Sequence, residues 1–85
     1  MSNPEVLDRQ RAALERVGPH LADEIVFWWD AIERAMTAKR LHNHLGRSKI
    51  IREILVRYHG ASANITLRDM HDAAMHARRI AKDVS

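Results

Sequence analysis

The sequence contains no cysteine, which excludes disulfide bonds, cysteine-bound zinc and thiol nucleophiles. Small secreted domains usually depend on such cross-links, so we expect an intracellular, cytoplasmic protein. Long apolar runs are also missing. The longest, Ile25 to Trp29, has five residues, whereas a membrane span needs about 18. The first ten residues show neither the basic start nor the apolar stretch of a signal peptide, and no membrane partner is expected.

Glycine and proline are scarce, with three and two residues, and they divide the chain into helical segments. Between them, apolar residues recur with the 3.6-residue period of helices, and no segment shows the alternation of strands. This pattern predicts an all-α protein of four helices at about residues 4–17, 20–44, 49–59 and 66–83. A chain of 85 residues has room for one core, so we predict a single helical domain over residues 1–85. Its packing is a small bundle or an orthogonal array.

Local signals predict where the later helices begin and end. Gly46 is expected just past the second helix, although a break near Thr37 is an alternative, and Ser48 is expected to cap the third helix. Thr66 and Asp69 form a capping-box pattern at the start of the fourth helix. The periodicity of that helix predicts that its polar residues face water, namely Arg68, Asp72, Arg78, Arg79 and Lys82.

The two signs of charge are segregated along the chain, although the net charge is only +3. Residues 1–33 have a net charge of −4 and residues 34–85 a net charge of +7. The densest basic segment spans residues 39–57, where Glu53 is the single acid. We expect this segment to contact nucleic acid or an acidic partner, with solvated helix faces as the plainer alternative. Its bases are Lys39, Arg40, Arg47, Lys49, Arg52 and Arg57.

A helix-turn-helix is an alternative organisation for this basic region. Gly46 or Gly60 would be the turn glycine, and the residue six positions later should be apolar. That residue is Arg52 in the first case and Thr66 in the second. The spacing therefore matches the motif only in part, and a helix-turn-helix-like fold stays an alternative.

Three consecutive aromatic residues lie in the second predicted helix. Phe27, Trp28 and Trp29 span about 200° of a helix, so they cannot all point into one core. At least one should lie at the edge of the apolar face, where exposed aromatics often anchor a partner. Absorption of both tryptophans by the core is the alternative. The predicted partner-binding residues are Phe27, Trp28, Trp29, Met70 and Met75.

The six histidines lack the spacing of a helical metal site. His42 and His44 are two residues apart, and His71 and His76 are five apart, whereas helical ligand pairs are four apart. We therefore predict no metal and no cofactor. The sequence also has no nucleophile elbow, no phosphate-binding glycine loop and no convergent carboxylate pair, so we predict that the protein is not an enzyme.

One region resembles a known family. Residues 51–62, IREILVRYHGAS, followed by Leu67 to Met70, LRDM, are similar to the helical region of a family of small regulators that includes quorum-sensing antiactivators of mobile elements. The similarity covers about a quarter of the chain and involves common residue types. It implies a protein that binds and silences a transcription activator.

These observations predict a small non-enzymatic regulatory binding protein. It would modulate transcription by stoichiometric contact with a protein partner such as a transcription regulator. The alternative is a DNA-binding, helix-turn-helix-like regulator that uses the basic third helix. A homodimer is left open, because a small core gains from dimerisation.

Overall fold

A computed structural model describes residues 3–84, which form four α-helices and contain no strand. They are α1 (Pro4–Val17), α2 (Ala22–Ala38), α3 (His44–His59) and α4 (Leu67–Val84), and a short 3-10 turn at Pro19–Leu21 precedes α2. The predicted all-α class is confirmed. The predicted domain also includes residues 1, 2 and 85, which lie outside the described residues.

Helix α4 is the centre of the packing, because it contacts each of the other three helices. Its buried face is lined mainly by small residues, Ala73, Ala74 and Ala77, which allow neighbouring backbones to approach closely. Helix α1 packs along it most extensively and buries Ala13 and Leu14 at this contact layer. The bulkier part of the core is contributed by five fully buried side chains: Ile25, Trp29, Ile51, Leu55 and Met70.

The fourth helix begins as its capping-box pattern predicts. The Asp69 backbone N–H donates to Thr66 Oγ1 at 3.0 Å, and the Thr66 N–H faces Asp69 Oδ2 at 3.5 Å. The Arg16 guanidinium of α1 also contacts Asp69 Oδ1 at 2.8 Å. This hydrogen bond with Arg16 and the Thr66 N–H outweigh partial burial and hold the pKa of Asp69 below its ordinary value.

The predicted boundary between the second and third helices is wrong. α2 ends at Ala38, near the alternative break, and α3 begins at His44 rather than after Gly46. The reason is an N-cap by Asn43, whose Oδ1 accepts from the Leu45 N–H at 3.0 Å and the Gly46 N–H at 3.1 Å. Gly46 and Ser48 consequently lie inside α3, and Ser48 is buried.

Asp72 does not face water as predicted, because α1 lies across that flank of α4. The Asp72 side chain is only 4% exposed, and its Oδ2 lies 3.2 Å from Arg9 Nε. A buried carboxylate is tolerated when a cation compensates its charge, and Arg9 supplies that charge from α1. The periodicity of α4 alone does not show that a charged residue of another helix occupies this side.

Candidate functional site

The six bases predicted to contact a partner separate into three environments. Lys39, Arg40, Lys49 and Arg57 are exposed. Arg52 is partly buried, and its Nη1 donates to the Ile65 carbonyl at 3.2 Å. This hydrogen bond joins α3 to the loop before α4 and restricts the side chain. The four exposed bases are therefore the ones free to meet a partner.

Arg47 is inside the protein, so its predicted contact with nucleic acid or an acidic partner is corrected. Its side chain is 5% exposed, and its Nη1 lies 3.1 Å from Glu33 Oε1 on α2. Its guanidinium also lies 5.1 Å from the centre of the Trp29 ring. The earlier start of α3 places Arg47 in the first turn, on the side that faces α2. It stabilises the packing of α3 rather than a contact with another molecule.

The predicted aromatic and methionine contacts are mostly internal. Trp29 and Met70 are fully buried, which corrects their assignment to a partner surface, because the core already covers them. Trp28 is partly buried and donates through Nε1 to Glu24 Oε1 at 3.1 Å. Met75 is also partly buried. Phe27, 60% exposed, confirms that one of the three adjacent aromatics lies outside the core.

Glu24 connects α2 to α3. Glu24 Oε1 lies 2.7 Å from His59 Nε2, at the last residue of α3. Because Glu24 is in the first turn of α2, the contact brings the end of α3 to the beginning of α2. The two helices are thus tied at opposite ends, through Glu24 and His59 at one and through Glu33 and Arg47 at the other.

Exposed large apolar side chains occur in the same part of the chain as the free bases. Leu41 is 52% exposed, Leu45 57%, Ile50 43% and Tyr58 70%. Ile50 and Tyr58 follow the helical spacing of the buried Ile51 and Leu55, yet both are exposed. The apolar residues of α3 spread over about two thirds of its circumference, which is wider than one buried stripe and typical of a helix with contacts on more than one side.

We define the outer face of α3 as Leu45, Lys49, Ile50, Glu53 and Arg57. At 100° per residue, it occupies an arc of about 140° opposite the buried Ile51 and Leu55. No ion pair within 4 Å involves its residues in the described part of the chain. Loop residues Lys39, Arg40 and Leu41 precede the helix and are separated from it by two residues.

A pocket lies beside the start of α3, and we call it the junction pocket. Its volume is about 300 Å³, and α1, α3 and α4 all contribute to it. The rings of His44 and His71 lie 5.7 Å apart, and both rings contact the ring of Trp29. The lining residues are Arg9, His44, Leu45, Arg68, His71 and Asp72.

The environment of His44 disfavours its protonated form. Partial desolvation is the largest cause, followed by the charges of Arg47 and His71, and together they lower the pKa of His44. Arg47 Nη2 lies 3.1 Å from His44 Nδ1. His44 and His71 are 27 positions apart in the sequence, so a search for helical ligand pairs does not find them. Residues 3–84 contain no group of three acidic or histidine side chains arranged to hold a metal ion.

Comparison with protein-family models, curated proteins and solved structures finds no match for this chain. The resemblance suggested by residues 51–62 and 67–70 is therefore unaccompanied by a family match. None of the helices in residues 3–84 combines the length and the apolar content required to cross a bilayer. The function is consequently argued from the surface itself.

Proposed function

We propose that this protein is a small non-enzymatic regulator that binds a partner protein through the outer face of α3 and the preceding loop. The observation that supports this proposal is the combination of exposed Leu45 and Ile50 with exposed Lys49 and Arg57 on one arc of the helix. Covering an exposed apolar side chain with another surface lowers the free energy, and each side chain would stabilise the complex by about 1 kcal/mol or more. The neighbouring bases would orient that surface.

The chemistry of this surface favours an acidic, amphipathic helix as the partner element. The outer face and the preceding loop contain four bases and one acid, so their net charge is positive. The bases are Lys39, Arg40, Lys49 and Arg57, and the acid is Glu53. An amphipathic helix would place its carboxylates beside the bases and its apolar residues against Leu45 or Ile50, which lie at the two edges of the arc. The contact would therefore combine a charged centre with apolar edges.

A transcription regulator is the class of partner that we propose. This choice depends on the resemblance of residues 51–62 and 67–70 to a family of regulators that includes antiactivators, which bind transcription activators. The region of similarity includes Arg57 of the outer face. Binding would block or reshape the activator stoichiometrically, without chemistry on the partner.

DNA is the second candidate, and the four exposed bases favour it. Lys49 and Arg57 lie eight residues apart on one side of α3, a rise of about 12 Å along the helix, and both side chains would contact phosphates of a bound duplex. Leu45 and Ile50, which flank these bases on the arc, fit a DNA surface less well, because the phosphate backbone offers them little apolar area. Binding of a mixed-sequence 20-base-pair duplex, measured by fluorescence anisotropy, separates the candidates. DNA contact predicts an affinity that falls steeply with salt.

Site-specific photo-crosslinking tests the protein-binding proposal. A photoreactive amino acid at position 50 should capture a partner in the cells that make this protein, whereas the same group at the exposed Asp8 of α1 should not. The captured protein, once purified, should bind the full chain in a one-to-one complex. Ile50→Ser and Arg57→Gln should each weaken that complex by about tenfold, since each removes roughly 1–2 kcal/mol of contact.

The control substitution is Asp8→Asn, which changes an exposed charge on a different helix and should leave the affinity unchanged. Equal capture at positions 8 and 50 would contradict the proposal. So would retention of full affinity in both outer-face variants. Tight, salt-sensitive binding to the duplex with no captured protein would replace it with the DNA candidate.

A further inference from the structure

The junction pocket brings together cationic and protonatable side chains that are distant in the sequence. Arg9 comes from α1, His44 from α3, and Arg68 and His71 from α4. All four line a space of about 300 Å³. Like charges repel, so their convergence on one concavity is unfavourable unless a negative group lies among them.

The single acid of the pocket does not satisfy this need, because its charge is already compensated. Asp72 is 4% exposed and pairs with Arg9 Nε at 3.2 Å, while His71 Nδ1 lies 3.6 Å from its other oxygen. Arg9 is 47% exposed and uses its Nε for this pair. Arg68 is exposed and forms no hydrogen bond or ion pair within residues 3–84. Positive charge therefore remains at the mouth of the pocket.

We propose that the junction pocket binds a small oxyanion, a phosphate, sulfate or carboxylate group. Arg68 would supply the principal ion pair, and the exposed part of Arg9 a second one. Ring N–H groups of His44 and His71 would donate to the remaining oxygens. Charge-assisted hydrogen bonds of this kind are stronger than neutral ones, and arginine is especially suited to oxyanions.

This arrangement couples anion binding to proton uptake. The groups that face His44 are Arg9 on α1, Glu33 on α2, Arg47 on α3, and Asp72, His71, Arg68 and Arg78 on α4. The cations exceed the acids among them, which opposes protonation of the ring. A bound dianion would reverse that balance and favour the imidazolium form, in which Arg47 Nη2 would give up its 3.1 Å contact with His44 Nδ1. Because the pKa of His44 lies below its ordinary value without the anion and would rise with it, the affinity should increase as the pH falls toward that lowered value.

Titration of the full chain with sodium sulfate tests the proposal, with ionic strength held constant by sodium chloride. Sulfate is the probe because its charge does not change between pH 6 and pH 8. Histidine ring resonances in NMR spectra should shift saturably for His44 and His71, and not for the distant His20. The dissociation constant should fall by about tenfold between pH 8 and pH 6, since the uptake of one proton changes affinity by at most about tenfold per unit of pH. Parallel titrations with phosphate and succinate show whether a tetrahedral or a carboxylate anion binds better.

Two charge-matched variants make the test specific. Arg68→Gln should weaken sulfate binding by about tenfold, because it removes one charge-assisted hydrogen bond. Arg57→Gln changes the charge equally on the outer face of α3 and should leave sulfate binding intact. The proposal is overturned by non-saturable shifts, by equal effects of the two variants, or by an affinity that does not depend on pH. Because Arg57→Gln weakens only the partner complex, failure here is distinguishable from failure of the proposed protein-binding function.

Discussion

The contact between α1 and α4 and the outer face of α3 are made of similar residue types in opposite situations. Between α1 and α4, the apolar side chains are buried and the polar ones are paired across the contact. Arg9 meets Asp72, Arg16 meets Asp69, and Arg79 donates to Gln10. Each of these polar groups of one helix has its complement on the other.

The outer face of α3 has no such complement in the described residues. Its leucine and isoleucine are exposed, and its lysine and arginine have no carboxylate within ion-pair distance in the described residues. The difference shows that residue type does not separate structural from functional positions in this protein. What separates them is whether each group has a partner within the protein. The groups at the contact between α1 and α4 have such partners, while those on the outer face of α3 would be stabilised by another molecule.

The largest effect expected from this contrast is on the core behind α3. Trp29→Ala should lower the free energy of unfolding by about 3–5 kcal/mol, since it removes a fully buried ring and leaves a cavity. Urea unfolding followed by circular dichroism measures the loss. Phe27→Ala is the matched control, two residues away and 60% exposed, and should change stability by less than about 1 kcal/mol. Similar losses in both variants would show that the two aromatics are not divided between core and surface as described.

The small residues on the buried face of α4 predict the next effect. Ala74→Leu adds three carbon atoms to a fully buried position and should destabilise the protein by about 1–3 kcal/mol through overpacking. Ala35→Leu, at an exposed position of α2, should change the unfolding midpoint little. Thermal unfolding of the two variants provides the comparison, and an Ala74→Leu protein as stable as the parent would mean that the core around α4 has space for the larger side chain.

A smaller and pH-dependent effect is expected at Asp69. Because Arg16 and Thr66 lower the pKa of Asp69 in the folded state, its ionised form stabilises the fold above the ordinary value of 3.8. That contribution is lost as the pH falls from 3.8 through the lower folded value. Asp69→Asn should therefore cost about 1 kcal/mol at pH 7 and progressively less below pH 4. Urea midpoints from pH 7 to pH 3 measure the difference between variant and parent, and a difference that stays constant with pH would contradict this account.

The smallest effect on stability is expected on the outer face of α3, where the effect on binding should be largest. Leu45→Ser and Ile50→Ser should change the free energy of unfolding by roughly 0.5 kcal/mol or less, since both side chains are exposed. A decrease of several kcal/mol would show that these residues stabilise the fold itself. Equilibrium unfolding at two protein concentrations adds a useful distinction, because stability that increases with concentration would indicate that a second copy covers this face.

Local sequence signals predicted much of the fold, since they act over three or four residues. The Thr66 and Asp69 pair marks the start of α4, and Gly60 closes α3 with a left-handed φ of 68°. Asn43 carries the same kind of signal and caps α3 in place of the predicted Ser48. Asparagine is as good an N-cap as serine, so local capping preference does not decide between the two positions.

The sequence by itself determined the helical class, because the period of its apolar residues and the placement of its helix-breaking residues are local properties. It also determined that bases and apolar side chains coincide in residues 39–58. Only the tertiary structure decided which of them remain accessible. Arg47 and Arg57 belong to the same helix, yet one is buried against Trp29 and Glu33 while the other meets solvent. The reason is that burial depends on which side of α3 faces its neighbours, and distant segments of the chain determine that side when they pack together.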